Sequence, residues 1–284
     1  MRAFETLEIS GKDTPGTRFL YRTALGRGLL QLLICPCVSR AAGRFLDSPV
    51  SRHLVGPFVS VMGISMEEYE EGPFSSFNAF FTRRIKPGRR DIAEHEEKLI
   101  APCDGKLTVY PITEDAVFRI KHSDYLLGQL LEDEELAASF RGGLCLVFRL
   151  TPDDFHRYCF PDAGEILTAR RIAGVLHTVR PIAFDRYPVY LRNSREYVLM
   201  KTKHFGKMVQ MEVGALFVGR IVNHSVSGTF ARGQEKGMFE FGGSTVILLL
   251  EPEKVQVNPI FLENTKCGKE TIIRMGDPLG RAMK

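Results

Sequence analysis

The chain changes texture near residue 95, and that change limits what it can fold into. After it come short runs rich in branched and aromatic residues: "GKLTVYPI", "GGLCLVFRL", "REYVLMKTK", "KMVQMEVGALFVGRIV", "GMFEFGG" and "STVILLLE". Gly, Pro or charged turns separate them, which is how strands are punctuated. In the fourth run Val209, Met211 and Val213 alternate with Gln210 and Glu212, the period of two that a pleated strand imposes. One helical insertion, "SDYLLGQLLEDEELAASF", interrupts the strands. Before residue 95 the apolar positions fall at helical spacing instead. There is no repeat, low-complexity tract or obvious linker. The pattern predicts an α+β fold: one β-rich domain over residues 96–284 with a helical N-terminal annex over 1–95.

Two readings of the annex stand side by side. Phe19, Leu20, Leu29, Leu30, Leu32 and Leu33, then Leu54, Phe58, Val59, Val61 and Met62, interleave with Arg18, Arg22, Arg27, Arg40, Arg44 and Arg52. Apolar stripes rimmed by arginine suit helices lying in a membrane interface; they equally suit a helical subdomain packed on the rest. Farther on, Phe77, Phe80, Phe81 and Arg84 are spaced for one face of a helix that Pro87-Gly88 would stop. No apolar stretch reaches the roughly 18 residues of a spanning helix. Polar residues precede the first apolar run, so no signal peptide is expected. The chain is expected to be soluble or to lie on a membrane without crossing it. A net charge of +4 is too weak to suggest nucleic acid. Six cysteines without a C-x-x-C framework read as reduced thiols of a cytoplasmic protein, and no metal site is expected.

Three stretches carry more chemistry than packing needs. In "LIAPCDGKLTVY", Asp104-Gly105 makes a turn between strands, where Asp ordinarily serves the turn itself. In "RLTPDDFHRYCFPDAGE", ionisable groups crowd a strand end, with His156 readable as a structural hydrogen-bonder or as a catalyst. In "FEFGGSTVILLLEPEKV", Gly242-Gly243-Ser244 precedes the most apolar run of the chain. Glycine permits backbone angles that other residues resist and leaves the carbonyl of residue 243 unshielded. A serine hydroxyl held against that carbonyl can attack it, given a base and a strained peptide. The amide becomes an ester, and elimination and hydrolysis then cut the chain, leaving a ketoacyl group at the new N-terminus. A β-bulge carrying a small hydroxyl residue is the plain alternative.

Together and in order, "FNAFFTRRIKPGRRDI", "LIAPCDGKL", "DDFHRYCFPDAGEI", "VGALFVGRI" and "KGMFEFGGSTVILLL" resemble the phosphatidylserine decarboxylases of bacterial type, over roughly the C-terminal three quarters of the chain. The resemblance implies a pyruvoyl-dependent carboxy-lyase that converts phosphatidylserine to phosphatidylethanolamine and carbon dioxide through a Schiff base. It puts the self-cleaving, pyruvoyl-forming role on Ser244, the cut between Gly243 and Ser244, and the catalytic aspartate and first motif histidine on Asp104 and His156. The products would be a large chain 1–243 and a small chain 244–284. Further implied are a membrane surface as partner, peripheral attachment at the cytoplasmic face of the cell membrane, and, as an alternative to a monomer, a homo-oligomer. One position departs from the family: Cys159 stands where its motif commonly has a second histidine. That leaves His156 as the first candidate for the base and His224, in "GRIVNHSVSG", as the second. Two other readings are a Ser-His-Asp acyl hydrolase built from Ser244, His156 and Asp104, although the G-x-S-x-G elbow is absent, and an uncut, inactive relative that only binds membranes.

Overall fold

A computed structural model describes residues 4–9, 14–90, 92, 94–120, 123–216, 220–224, 226–241 and 244–283. Gly242 and Gly243 of the expected cut lie outside the described residues.

The first part of the chain holds β1 (Thr6–Glu8), α1 (Pro15–Arg22), α2 (Ala24–Leu33), α3 (Pro36–Asp47), a 3-10 turn (Pro49–Leu54), α4 (Val55–Met62) and α5 (Phe77–Phe81). Each boundary has a local cause. Thr14, Thr23 and Ser76 cap the first turns of α1, α2 and α5 through their hydroxyls, satisfying amides that have no partner inside the helix. Gly63 ends α4 with a left-handed φ of 64°, which glycine adopts at little cost. The helix expected to run on to Pro87-Gly88 stops at Phe81. Residues 84–86 leave it to pair with 68–70: Glu70 donates to Arg84, Lys86 donates to Glu68, and Tyr69 bridges Ile85.

The rest comprises β2 (Lys98–Ile100), β3 (Gly105–Pro111), β4 (Val117–Ile120), β5 (Ser123–Leu126), α6 (Leu127–Leu131), α7 (Glu134–Ala138), β6 (Leu144–Leu150), β7 (Arg157–Cys159), β8 (Gly164–Ile172), α8 (Pro181–Phe184), α9 (Val189–Arg192), β9 (Arg195–Thr202), β10 (Lys207–Val213), β11 (Ile221–Asn223), β12 (Gly228–Phe230), β13 (Glu235–Phe239), β14 (Ser244–Leu250), β15 (Val255–Val257), α10 (Pro259–Lys266), β16 (Lys269–Ile273) and β17 (Pro278–Ala282). The fold is α+β and mostly β, as its sequence texture predicts. The insertion read as helix opens as a strand, β5, which hairpins with β4 before α6 and α7 form.

Nine strands make the main sheet, in the order β1-β16-β3-β6-β14-β10-β9-β8-β12, and every neighbouring pair in it is antiparallel. β14 lies between β6 and β10, and all seven of its residues are buried. Its period of two sends Val246, Leu248 and Leu250 into one core and Ile247 and Leu249 into the other. Each fully buried side chain of this kind contributes about 1.5–3 kcal/mol. Tyr21 of α1 and Leu30 of α2 enter the Ile247 face, and β1 pairs with β16, so the annex is sewn onto the sheet. A second, three-stranded sheet, β11-β13-β7, contributes Tyr158 and Phe239 to the Val246 face. That cover buries Gln210 and Glu212 completely, where alternation alone suggested a polar face. Gln210 donates to the Cys159 carbonyl at 3.3 Å. Glu212 pairs with the equally buried Lys236 at 2.6 Å, and Lys236 also donates to Asn223 at 2.9 Å.

Candidate active site

Ser244 is the first residue of β14. Its register partner is Leu150, at the last position of β6, and Thr245 faces Arg149. The side chain is fully buried, and its Oγ has no hydrogen-bond partner among the described residues. Buried hydroxyls are seldom left so, because an unmade hydrogen bond costs about 1–3 kcal/mol. Asp104 belongs to the same end of the sheet. It precedes Gly105, whose strand β3 lies on the other side of β6, with Lys106 opposite Arg149. A Cβ on Gly105 would sit a tight 3.1 Å from the Arg149 carbonyl oxygen, and its φ of 154° is one that other residues rarely adopt, so glycine suits the start of β3 beside β6.

His156 comes to that end from the upper layer. Its carbonyl accepts the amide of Phe239 at 2.8 Å, at the last position of β13, five residues before Ser244. Its ring lies 4.0 Å from Phe81, centroid to centroid, and Phe81 in turn meets Phe241 at 5.1 Å. α5 of the annex thus closes over both the histidine and the segment leading to Ser244. Asn78 fastens that segment further, accepting the Phe241 amide at 3.3 Å while donating to Asp47 at 2.8 Å.

The chemistry of His156 follows from its surroundings. Nδ1 lies 2.9 Å from the Asp154 carbonyl oxygen, which can only accept, so Nδ1 carries the hydrogen. In the neutral ring Nε2 then holds a free lone pair, and Nε2 is buried without a partner among the described residues. Burial, followed by the positive charge of Arg83, pushes the imidazole down to about 3. The ring is a neutral base across the physiological range.

Two residues that sequence reasoning passed over hold this arrangement. Arg83, not Arg84, turns inward. It is 2% exposed, lies 4.1 Å over the Tyr69 ring, and donates to the carbonyls of Asp153 and Asp154 at 3.2 and 3.4 Å. It therefore grips the same carbonyl that orients His156. Nothing in "FTRR" marks which arginine is buried; the early end of α5 decides it. Lys106, hidden in a strand-like run, donates to both oxygens of Asp154 at 2.8 and 2.7 Å and to Thr151 at 2.6 Å. This fixes the turn between β6 and β7.

The expected residues are brought together unevenly. Asp104 does not hydrogen-bond His156. Its carboxylate takes a two-pronged contact from Arg90, at 3.2 and 2.7 Å, and the Met275 amide at 2.8 Å. Cys159 is buried on β7, and burial pushes its thiol up to about 12, so it stays protonated. His224 lies near the opposite end of β13 from Phe239: its amide donates to Lys236, and its Nε2 is 2.8 Å from Glu235. No group of three or more potential metal ligands is found among the described residues.

A pocket of about 180 Å³ opens at the end of β6, lined by Leu150, the register partner of Ser244. Thr151, Thr178, Arg180 and Phe241 also line it, together with Thr14 and Thr17 of the annex. Tyr21 ties the annex down here, its hydroxyl accepting the Thr178 amide at 3.0 Å.

The chain has known relatives. The model of the phosphatidylserine decarboxylase family matches residues 77–281. The phosphatidylserine decarboxylase proenzyme 2 of Clostridium acetobutylicum is 46% identical over 264 residues, covering 93% of this chain and 90% of that one. The phosphatidylserine decarboxylase proenzymes of Desulfitobacterium hafniense, strain Y51, and of Chlamydia muridarum are each 38% identical, over 269 and 270 residues, with the same 93% and 90% coverage. The chain belongs to the phosphatidylserine decarboxylase family, a family of decarboxylating lyases.

Proposed function

We propose that the chain is a proenzyme that cuts itself between Gly243 and Ser244 and then decarboxylates phosphatidylserine to phosphatidylethanolamine. The observation that carries this is the fully buried Ser244 hydroxyl, which neither caps a helix nor bonds a described neighbour. It heads a strand of the sheet interior and fits the precursor of a pyruvoyl group better than a packing role.

In this reading, His156 Nε2 takes the proton from Ser244 Oγ, and the oxygen attacks the carbonyl carbon of residue 243. The amide nitrogen leaves with a proton, giving an ester. Loss of the Ser244 α-proton then expels residue 243 as a carboxylate and leaves dehydroalanine. Its imine tautomer takes up one water and releases ammonia, leaving the α-keto group at the head of β14. That pyruvoyl group supplies a ketone able to condense with the substrate amine and accept the electron pair released with carbon dioxide. Around it the chain's own residues act as follows. His156 holds or returns a proton at Nε2. Arg83 and Asp154 fix the ring's orientation. Phe81 and Phe241 keep water away. Asp104, held by Arg90, sets the β2–β3 turn at this end of the sheet. The protonated thiol of Cys159 favours His156 as base, and His224, bound at the other end of β13, is the weaker candidate.

The domain boundary we propose lies near residue 95, with catalysis in 96–284 and membrane contact in 1–95, although β1 of the first part pairs into the sheet of the second. On α2, Leu25, Leu29 and Leu32 fall on one face and are 79%, 46% and 66% exposed. Such a stripe suits a helix in a lipid interface. No single described helix is long and apolar enough to cross a membrane, although α2 and α3 pass that test as a bent pair; on the exposed leucines we assign peripheral attachment, at the cytoplasmic face. The partners are then the lipid substrate, the bilayer and the two chains of one precursor. An acyl hydrolase is disfavoured by the missing Asp104–His156 contact. The test is the intact mass of the purified protein: chains 1–243 and 244–284, the second blocked by pyruvoyl, are expected. A single full-length chain with Ser244 intact, unable to release carbon dioxide from phosphatidylserine, would refute the reading.

A further inference from the structure

The pocket near the head of β14 is lined by a cation that has no counter-charge among the described residues. Arg149 lines it, but its Nε and Nη2 are both taken up by Glu270. Arg180 lines it too, and no carboxylate lies within ion-pair distance of its guanidinium among the described residues. The base of Arg180 is fixed. Its amide donates to Thr178 Oγ1 at 3.3 Å, and the next residues form α8, where Ile182, Ala183 and Phe184 are buried. Arg180 is half-buried and lines the pocket together with Thr151 and Thr178; a guanidinium among hydroxyls is a ready receptor for an anion with several oxygens.

We infer that Arg180 binds the phosphodiester of the lipid headgroup and thereby sets which lipids reach Ser244. This rests on the reading of the chain as acting on phosphatidylserine. Volume sets the class of occupant: about 180 Å³ is below the roughly 300–1,000 Å³ of pockets that enclose drug-sized ligands, so it takes a headgroup and leaves acyl chains outside. Position agrees, because Thr17 of α1 lines the pocket and the exposed leucines of α2 follow directly in the chain. The choice between the two anions of the headgroup follows from the reaction. The carboxylate loses its charge as carbon dioxide leaves, so a strong cation on it would stabilise the ground state against the transition state. The phosphodiester keeps its charge throughout, and a contact with it strengthens binding without opposing the chemistry.

The test separates binding from chemistry. In the Ser244→Ala chain, which cannot be cut, binding of dihexanoyl phosphatidylglycerol is measured by calorimetry, with inorganic phosphate as competitor. That lipid has the phosphodiester but neither amine nor carboxylate. Arg180→Gln is expected to weaken its binding tenfold to a hundredfold, the loss expected for one charge-assisted pair, and Arg180→Lys to restore part of it. Competition by millimolar inorganic phosphate supports the same contact. In the chain with Ser244 present, intact mass first establishes that Arg180→Gln is still cut; KM for phosphatidylserine in mixed micelles should then rise at least tenfold, with kcat within about twofold. Lipid binding unchanged by Arg180→Gln overturns the inference, as does tight phosphate binding with no lipid binding, or a fall in kcat at constant KM. If the chain proves uncut and without decarboxylase activity, the parent reading fails while the calorimetric result still judges Arg180.

Discussion

The most exacting consequence of the site concerns acid. With Nδ1 committed to a carbonyl and burial holding the imidazole at about 3, His156 should remain a competent base far below the pH at which a free histidine is lost. At pH 5.5 a histidine at its ordinary 6.5 is about 90% protonated, and a rate depending on its neutral form falls about tenfold. His156 is then less than about 1% protonated. Self-cleavage of freshly translated chain, followed by gel at pH 5.0 to 8.0, should therefore vary less than about twofold. Stability moves the other way, and its sign limits the window. The folded pKa lies below the unfolded one, so the unfolded chain takes up the proton first. Stability is complete above about 6.5 and is lost as pH falls from there toward 3, at about 1.4 kcal/mol from this residue by pH 5.5. Circular dichroism at each pH keeps the two effects apart. Phe81→Ala, which uncovers the ring, should bring the acid limb up toward 6.5. A tenfold fall in the parent rate centred near pH 6.5, with the fold intact, would refute the assignment of His156 or of its environment.

Other outcomes follow from the same geometry. Cys159→Ala should still cut, because a thiol held at about 12 supplies no base; a chain that stays whole on the gel while His156→Ala cuts would reverse the roles. Lys236→Met strands the fully buried carboxylate of Glu212 and should destabilise the fold by about 3–5 kcal/mol in denaturant titration; adding Glu212→Gln should recover part of that loss. Leu25→Glu with Leu29→Glu and Leu32→Glu should lower co-sedimentation with anionic liposomes while leaving the melting temperature nearly unchanged. Leu33 would be a poor choice for that experiment, since it packs against the core.

What was legible in the sequence was legible for a reason. Runs such as "STVILLLE" and "REYVLMKTK" are unambiguous because apolar branched and aromatic residues dominate a short stretch bounded by turn or charged residues, and β14 and β9 are where they predict. β8 was missed because most of its nine residues are exposed and its second half, "LTARRI", has polar residues where a one-sided strand would alternate. The buried state of Gln210 and Glu212 could not be read locally, since it depends on a second sheet built from residues 157–159 and 221–239. Ser244, His156 and Asp104 stood out because their residue types and order resemble a family. The roles of Arg83 and Arg180 are set by where α5 ends and by what surrounds α8, which no spacing rule records.

β14 has a consequence for how such a protein can be made at all. Before the proposed cut, its pairing with β6 and β10 forms within one chain, and the 240–243 segment ties it covalently to β13. Afterwards the same ladders join two separate polypeptides, and the 41 residues from Ser244 to Lys284 carry β14, β15, α10, β16 and β17. Native assembly then has a one-way history: a first-order folding of the precursor, followed by loss of the connection that allowed it. Denatured mature protein should regain its shape only by a second-order encounter, at a rate proportional to concentration. The uncut Ser244→Ala chain should refold at the same rate however far it is diluted.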